Sequence, residues 1–402
     1  MHERDFSRNG VLTPELLVTL LLYMAGDGRR RGYRHILDSF WDDAQLAGLP
    51  LPTEEPISAP AFCQARAKLT PAFIRTLLHG VNTRFDAAFE KDARWRGRRV
   101  LAVDGTGVNL QRSDELTREF RKLDNAYCPQ AQVSTLLNVV SKVPVDVATA
   151  PYKTSERAML IQEHVPLLMS GDILVLDRGY PGFKVFREIL KTGADFVARV
   201  PVSSFFSAVE KFFKDGGKDR SIVLRPTWRV GRSGPEIPLR VVRSKREDGE
   251  DVVFITSLRK SDYSCKDIEQ LYKMRWEVEE HYKTFKSAYM GQGQLHSRTA
   301  VGVRQEILAI TLFHALSRYF LAGAAKHVDA PYDELSTKSA CLGLAAYIVR
   351  LFVAPDPRMT DWLRHMFQRV ARTRDPKRAG RSYPRRSFQP RLRWGPNGRV
   401  GA

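Results

Sequence analysis

Two aspartates stand where wholly apolar runs stop. Asp104 follows Val100-Leu101-Ala102-Val103, and Asp177 follows Ile173-Leu174-Val175-Leu176. Runs of this length and composition read as buried strands. A carboxylate at the end of such a strand sits on the rim of a sheet, where α/β proteins hold their ligands. An Asp in that place also serves as a turn residue, so either one alone decides little. A third carboxylate, Glu279, lies in a helical pattern running from Asp267 to Ala288. At about 100° per residue, with Tyr272 as origin, Arg275 falls at about 300°, Glu279 at about 340° and Lys286 at about 320°. This polar arc borders a core stripe of Leu271, Met274, Val278, Tyr282 and Phe285, while Lys273, Glu277, Glu280, His281 and Thr284 cover the exposed face. The arc therefore aims Glu279 along the edge of a sheet. An ordinary Arg275–Glu279 i,i+4 ion pair is the structural alternative. Other chemistries lack their residues: there is no G-x-x-x-x-G-K phosphate loop, no Ser or Cys beside a plausible base, and no histidine pair at metal-ligand spacing.

The elements that must position these groups fall into distinct textures. The first ninety-odd residues are helical: Thr13-Pro14-Glu15 starts a helix carrying Leu16, Leu17, Leu20 and Leu21. Helical patterns continue at 40–47, 59–69 and 71–90. Arg29, Arg30, Arg31 and Arg34 in this region are a solvated loop or a DNA contact. After the Asp104 strand come strand candidates at 133–140 and 145–150, then a helix over 155–169. The Asp177 strand follows, then a helix opened by Pro181 and a strand at Phe196-Val197-Ala198. Strands alternating with helices in this way predict an α/β arrangement with a partly parallel sheet. From 201 to 260, Val223, Trp228, Val230, Leu239, Val241 and Val242 sit in short alternating runs, with Val252 to Thr256 as a return strand. Helical patterns resume at 301–325 and 335–353.

The chain has 402 residues, with 64 Lys and Arg against 45 Asp and Glu, a net charge of +19. A surplus of this size attracts phosphate, and points to nucleic acid as the partner. From Arg372 to the end there are ten basic residues and one acidic, Asp375. No basic amphipathic helix or lipidation motif favours a membrane surface, and the best apolar run, Leu16 to Met24, is shorter than the roughly 20 residues of a span. The four cysteines are scattered, which excludes a zinc ribbon and a disulfide scaffold and fits a reducing cytosol.

Tyr272-x2-Arg275-x3-Glu279-x6-Lys286 resembles the Tyr-Arg-Glu-Lys signature of the insertion-sequence-four-like branch of bacterial DDE transposases. Ala102-Val103-Asp104-Gly105-Thr106 is similar to that family's first-aspartate strand. Leu176-Asp177-Arg178-Gly179-Tyr180, followed by Phe196-Val197-Ala198-Arg199, is similar to its second. Ala65-Arg66-Ala67-Lys68-Leu69 resembles a segment of its helical N-terminal region. The likeness covers roughly residues 55 to 325.

The resemblance implies an α/β, RNase H-like catalytic domain with a β-rich insertion, flanked by helical N- and C-terminal regions. The expected divisions are a helical DNA-binding domain (1–95), the first part of the catalytic core (96–200) and the insertion (201–260). The second part of the core with the Glu helix (261–325), a helical region (326–371) and a basic tail (372–402) complete them. Asp104, Asp177 and Glu279 would hold two Mg²⁺ ions, with Mn²⁺ able to substitute. Hard cations take oxygen ligands, and two ions can stabilise the attacking and leaving oxygens of a phosphodiester displacement. Tyr272, Arg275, Lys286 and Arg178 would contact DNA. The implied partners are double-stranded DNA, as terminal inverted repeats and as target, and a second copy of the chain in a synaptic homodimer. The implied setting is a bacterial cytoplasm, at the nucleoid. A nuclease that cuts without joining strands, and a DNA-binding protein that no longer cuts, remain open alternatives.

Overall fold

Eight strands, most of them apolar on both faces, make the centre of the molecule. In the computed structural model, β1 (Val100–Asn109), β2 (Gln130–Asn138), β3 (Val143–Pro151), β4 (Ile173–Leu176), β5 (Asp195–Val200), β6 (Asp219–Leu224), β7 (Ile237–Lys245) and β8 (Asp251–Thr256) form one sheet. The structure describes residues 11–27, 31–124, 126–201, 206–226, 235–245, 249–286 and 295–374. Arg29, Arg30, Trp228, Val230 and the tail from Asp375 lie outside them.

The sheet order is β3-β2-β1-β4-β5-β8-β7-β6. β1, β2 and β3 pair antiparallel, whereas β4 runs parallel to both β1 and β5. This 3-2-1-4-5 core is the RNase H-like arrangement. The β strands of the 201–260 stretch extend the same sheet, because β8 pairs antiparallel with β5.

The helices in chain order are α1 (Pro14–Asp27), α2 (Tyr33–Leu46), α3 (Ala59–Ala67), α4 (Pro71–Ala88) and α5 (Glu90–Ala93) before the sheet, and α6 (Asp114–Phe120) between β1 and β2. α7 (Glu156–Met159) follows β3, α8 (Phe183–Lys191) follows β4 and α9 (Ser207–Lys214) follows β5. After the sheet come α10 (Cys265–Met274), α11 (Trp276–Thr284), α12 (Ala300–His327), α13 (Thr337–Phe352) and α14 (Met359–Ala371). The helix expected over 155–169 is α7 continued by a π turn and a 3-10 turn to Leu167. The longest apolar helix is α12, not the 16–24 stretch. It is apolar enough by composition to cross a membrane, but 78% of its most apolar window is buried inside the fold. It is the core helix against which α1, α4, α13, α14 and β3 pack.

Side-chain alternation along β1 and β4 divides the core. Leu101, Val103, Leu174 and Leu176 pack with Phe183, Phe186 and Ile189 of α8. Val100, Ala102, Ile173 and Val175 pack on the opposite face with Ile268, Leu271, Val278 and Tyr282 of α10 and α11. Behind the sheet, the fully buried Asp146 of β3 is gripped by Arg75 of α4 (2.7 Å) and by His79 and His164 (3.0 Å each). Burial alone would raise the carboxyl pKa, but these three partners outweigh it and hold it well below the usual range. Arg66 of α3, also buried, bonds Gln305 and Glu306 and the Gly302 carbonyl of α12. The helical N-terminal region is thus tied to the sheet and to the core helix by buried charge pairs.

Candidate active site

Register brings the two aspartates level. β1 pairs with β4 at Val100↔Ile173, Leu101↔Leu174 and Ala102↔Val175, and the same offset carried two residues further sets Asp104 beside Asp177. Side chains two apart share a face. Asp104 therefore follows Val100 and Ala102, and Asp177 follows Ile173 and Val175, onto the face covered by α10 and α11. β1 runs on to Asn109, so Asp104 lies inside the strand and not at its end as the apolar run suggested. β1 outlasts β4 there, which leaves the rim on one side of Asp104.

Asp104 accepts the Gly105 N–H (2.9 Å). Its pKa is pushed up to about 6, first by burial, with Glu156 and Asp177 adding like charge and Arg275 opposing them. Tyr272 donates its hydroxyl to Asp177 Oδ1 (2.9 Å) and packs on Phe254. Burial and Asp177 push that phenol up to about 12, so it remains a donor at any ordinary pH. Arg275 donates to Glu279 Oε1 (2.6 Å), with its guanidinium carbon 5.7 Å from the centre of the Tyr272 ring. Burial works against the Arg275 charge, but Glu279, Tyr272 and Asp177 outweigh it and raise its pKa. Its Nε is buried with no hydrogen-bond partner among the described residues. Lys286 stands at the end of the helix, where partial desolvation of its ammonium pulls the pKa down and Asp104 opposes the shift. Arg178 is exposed on the loop after Asp177.

The single helix expected over 267–288 is interrupted. α10 ends at Met274, and i→i+3 bonds from Arg275 N to the Tyr272 carbonyl and from Val278 N to the Arg275 carbonyl tighten the turn between it and α11. Residues 287 and 288 lie outside the described part. Tyr282 anchors α11 by donating to the Asp104 backbone carbonyl (2.7 Å). His281 is not on the exposed face that the helical wheel gives it: it is buried and stacks on His314 of α12 at 4.8 Å. The outward side carries Trp276, which donates to Glu280 (2.9 Å), and Lys283, which pairs with the same carboxylate and lies over the Trp276 ring.

One neighbour of Asp104 has no signal in the sequence beyond its place at a helix start. Glu156, first residue of α7, reaches Gly105 and accepts from Gln132 (3.3 Å). The donor set is hard oxygen, suited to Mg²⁺ or Mn²⁺. Among the described residues, no three acidic, His or Cys side chains stand at metal-holding spacing; Asp177 is bonded by Tyr272 and Glu279 by Arg275.

The profile of a family described as Transposase DDE domain matches residues 95–316. No curated protein matches the chain. Among solved structures, a piggyBac transposase synaptic complex with hairpin DNA aligns at 10% identity and a TM-score of 0.43, over 91% of this chain and 79% of that one. Ciona intestinalis Endonuclease V, in complex with a 24mer DNA containing an inosine followed by a ribo-adenosine, aligns at 16% identity and a TM-score of 0.21, over 50% of this chain and 96% of that one. The profile match spans more than half of the chain, from just ahead of β1 into α12, and takes in Asp104, Asp177 and Glu279; the chain belongs to the transposase DDE domain family, enzymes that cut and transfer DNA strands with divalent metal ions.

Proposed function

We propose that this protein is the transposase of a bacterial insertion sequence of the Tyr-Arg-Glu-Lys branch, cutting element ends at their terminal inverted repeats and joining them to target DNA. The observation that carries this reading is the set of bonds where α10 and α11 cross the ends of β1 and β4: Tyr272 donates to Asp177, Arg275 pairs with Glu279, and Tyr282 donates to the Asp104 carbonyl. Asp104, Asp177 and Glu279 are the metal ligands, for two Mg²⁺ ions or for Mn²⁺. Bound there, the ions supply charge stabilisation of the attacking and leaving oxygens of the phosphodiester.

The chain's own groups do the rest. Tyr272 fixes the Asp177 carboxylate through a bond that does not titrate. Arg275 pairs with Glu279 and presents a buried, forked guanidinium suited to a phosphate. Lys286 and Arg178 add point charges on two sides of the same rim, where a DNA backbone can be held. The tail, with eight basic residues beyond Arg374, adds contacts that read no sequence. Two element ends must be held together for joining, so a homodimer on DNA belongs to the reading.

The test is incubation of the full chain with end DNA and a target plasmid. Joined products in Mg²⁺ or Mn²⁺, absent in Ca²⁺ and in excess chelator, support transposition. Ca²⁺ is larger and prefers more ligands at longer distance. Nicking without joined products would leave a nuclease, and normal cutting by Asp177→Ala would remove the site assignment.

A further inference from the structure

Asp177 has a second neighbour in the sheet, on the side away from β1. β4 pairs with β5 at Val175↔Val197 and Leu176↔Ala198, and the same register one residue further sets Arg199 beside Asp177. Val197 packs with Val175, Ile268 and Leu271 on the face covered by α10. Arg199, two residues on, shares that face. On its other side β5 pairs with β8 at Arg199↔Phe254, and Phe254 is the ring on which Tyr272 packs. One row therefore crosses the sheet beneath the helices: Phe254, Arg199, Asp177 and Asp104. At about 4.8 Å between strands, the Arg199 backbone stands about 5 Å from that of Asp177 and about 10 Å from that of Asp104.

The charge of Arg199 has no use inside the fold. Arginines elsewhere around this half of the sheet are matched to acids: Arg98 to Asp195, Arg240 to Asp219 and Arg243 to Asp251. The half-buried Arg199 side chain has no ion pair or hydrogen bond among the described residues. Its closest acid along the row, Asp177, takes its bond from Tyr272 instead. The Arg199 charge nevertheless acts on the Tyr272 phenol, which agrees with a guanidinium on the α10 side of the rim. Lys286, at the other end of the row, is subject to Asp104. Each aspartate thus has a cation beyond it, Lys286 for Asp104 and Arg199 for Asp177.

We propose that Arg199 is a DNA-binding residue of this site, holding a backbone phosphate adjacent to the one that is cut, so that the strand lies across the row from β1 to β5. The inference rests on the reading of Asp104, Asp177 and Glu279 as the cutting site. A guanidinium presents parallel N–H groups that match two oxygens of one phosphate. Gripping the adjacent phosphate fixes the strand's direction over the aspartates, and orientation of this kind appears in the rate of the chemical step.

Single-turnover cleavage by the full chain reads the contact, using end DNA with one neutral methylphosphonate placed in turn at each phosphate flanking the cut. Wild type should lose about tenfold at one of these positions, the loss of one charge-assisted bond. Arg199→Gln should be about tenfold slower on ordinary DNA and should lose nothing more at that position. Arg199→Met, which keeps the length of the stem, replaces it if thermal unfolding shows that the glutamine variant does not fold. Lys184→Ala, an exposed lysine of α8 on the opposite face of the sheet, should cut normally and lose as much as wild type at the sensitive linkage. If Arg199 only balances the charge of Asp177, the neutral linkage and the variant lose independently at every position, and that additivity would overturn the proposal. A wild-type rate for Arg199→Gln would overturn it as well. Asp177→Ala separates the two readings. If it abolishes cutting while the Arg199 losses are additive, only this inference fails; if it cuts normally, the site itself is wrong.

Discussion

Replacing Tyr272 by Phe removes one oxygen and little else. The ring remains on Phe254, 4.9 Å away between centroids, and under the Arg275 guanidinium, so no cavity opens and the cation–π contact persists. What disappears is the 2.9 Å bond to Asp177. A hydrogen bond to a charged group contributes about 1.5–3 kcal/mol, and both partners here are only half-buried, so the low end applies, about 1.5 kcal/mol. If that bond holds Asp177 in its metal-binding orientation, its removal shows in the chemical step as about a tenfold slower cleavage. Because the phenol is pushed up to about 12, the deficit should be constant between about pH 6 and 9. Single-turnover cleavage of end DNA, at saturating protein and across a Mg²⁺ titration, reads it. Tyr272→Phe should need more Mg²⁺ to reach its full rate. A wild-type rate and Mg²⁺ dependence would refute the positioning role and leave Tyr272 as packing.

Lys286→Ala should slow cleavage or joining far more than Lys283→Ala at matched DNA occupancy, since Lys286 feels Asp104 while Lys283 is engaged by Glu280 on the outer side; equal rates would reject the phosphate role. Asp146→Asn should cost about 3–5 kcal/mol in urea unfolding at pH 7, because it removes the buried carboxylate on which Arg75, His79 and His164 converge. A depressed carboxyl contributes stability above its unfolded pKa of about 4 and loses it as pH falls through the folded value. The gap between wild type and variant should therefore hold from pH 7 to about 4.5 and shrink below, and a gap unchanged at about pH 3 would contradict it. Truncation after Arg374 should weaken non-specific DNA affinity more than end discrimination. Thr373 and Arg374 pair back to Ser336 and Glu334 and are best kept. If the tail neutralises about three phosphates, its removal should make the log–log salt slope shallower by roughly 2.7, and an unchanged slope would make the tail a spectator.

The parts of this fold legible in the sequence are those where composition forces one answer. Ile173-Leu174-Val175-Leu176 has no polar face, so it could only be a strand buried on both sides, and the order of strands and helices around it follows. Glu279 was legible because helix periodicity ties it to Tyr272 and Arg275. His281 was not, because an imidazole suits a surface and, when neutral, a core. Burial pushes its pKa down to about 3, and it packs against His314 as a flat apolar ring. The turn at Arg275 was invisible to a wheel that assumes uniform pitch. Tyr272 and Arg275 read as phosphate holders, whereas the structure has them bonded to carboxylates, a pairing that depends on the packing of α10 over β4. Glu156 is far from Asp104 along the chain, and only the path through β2 and β3 returns it to Gly105. No local pattern marks such a neighbour.

Tyr282 explains why the glutamate-bearing helix needs no cap or ligand to find its place. Its hydroxyl bonds the backbone carbonyl of Asp104, the residue whose side chain faces the rim. The helix is therefore indexed to the strand at the aspartate itself, and Val278 locks the same register by packing against the strand residues around Val100 and Ala102. One helical turn separates Tyr282 from Val278, and Glu279 sits between them on the side toward Arg275. A slip of one residue along the helix would turn Tyr282 about 100° away from Asp104 and bury Lys283 in its place. Geometry at the rim is thus set by apolar burial and one neutral hydrogen bond, neither of which changes when charges at the carboxylates change.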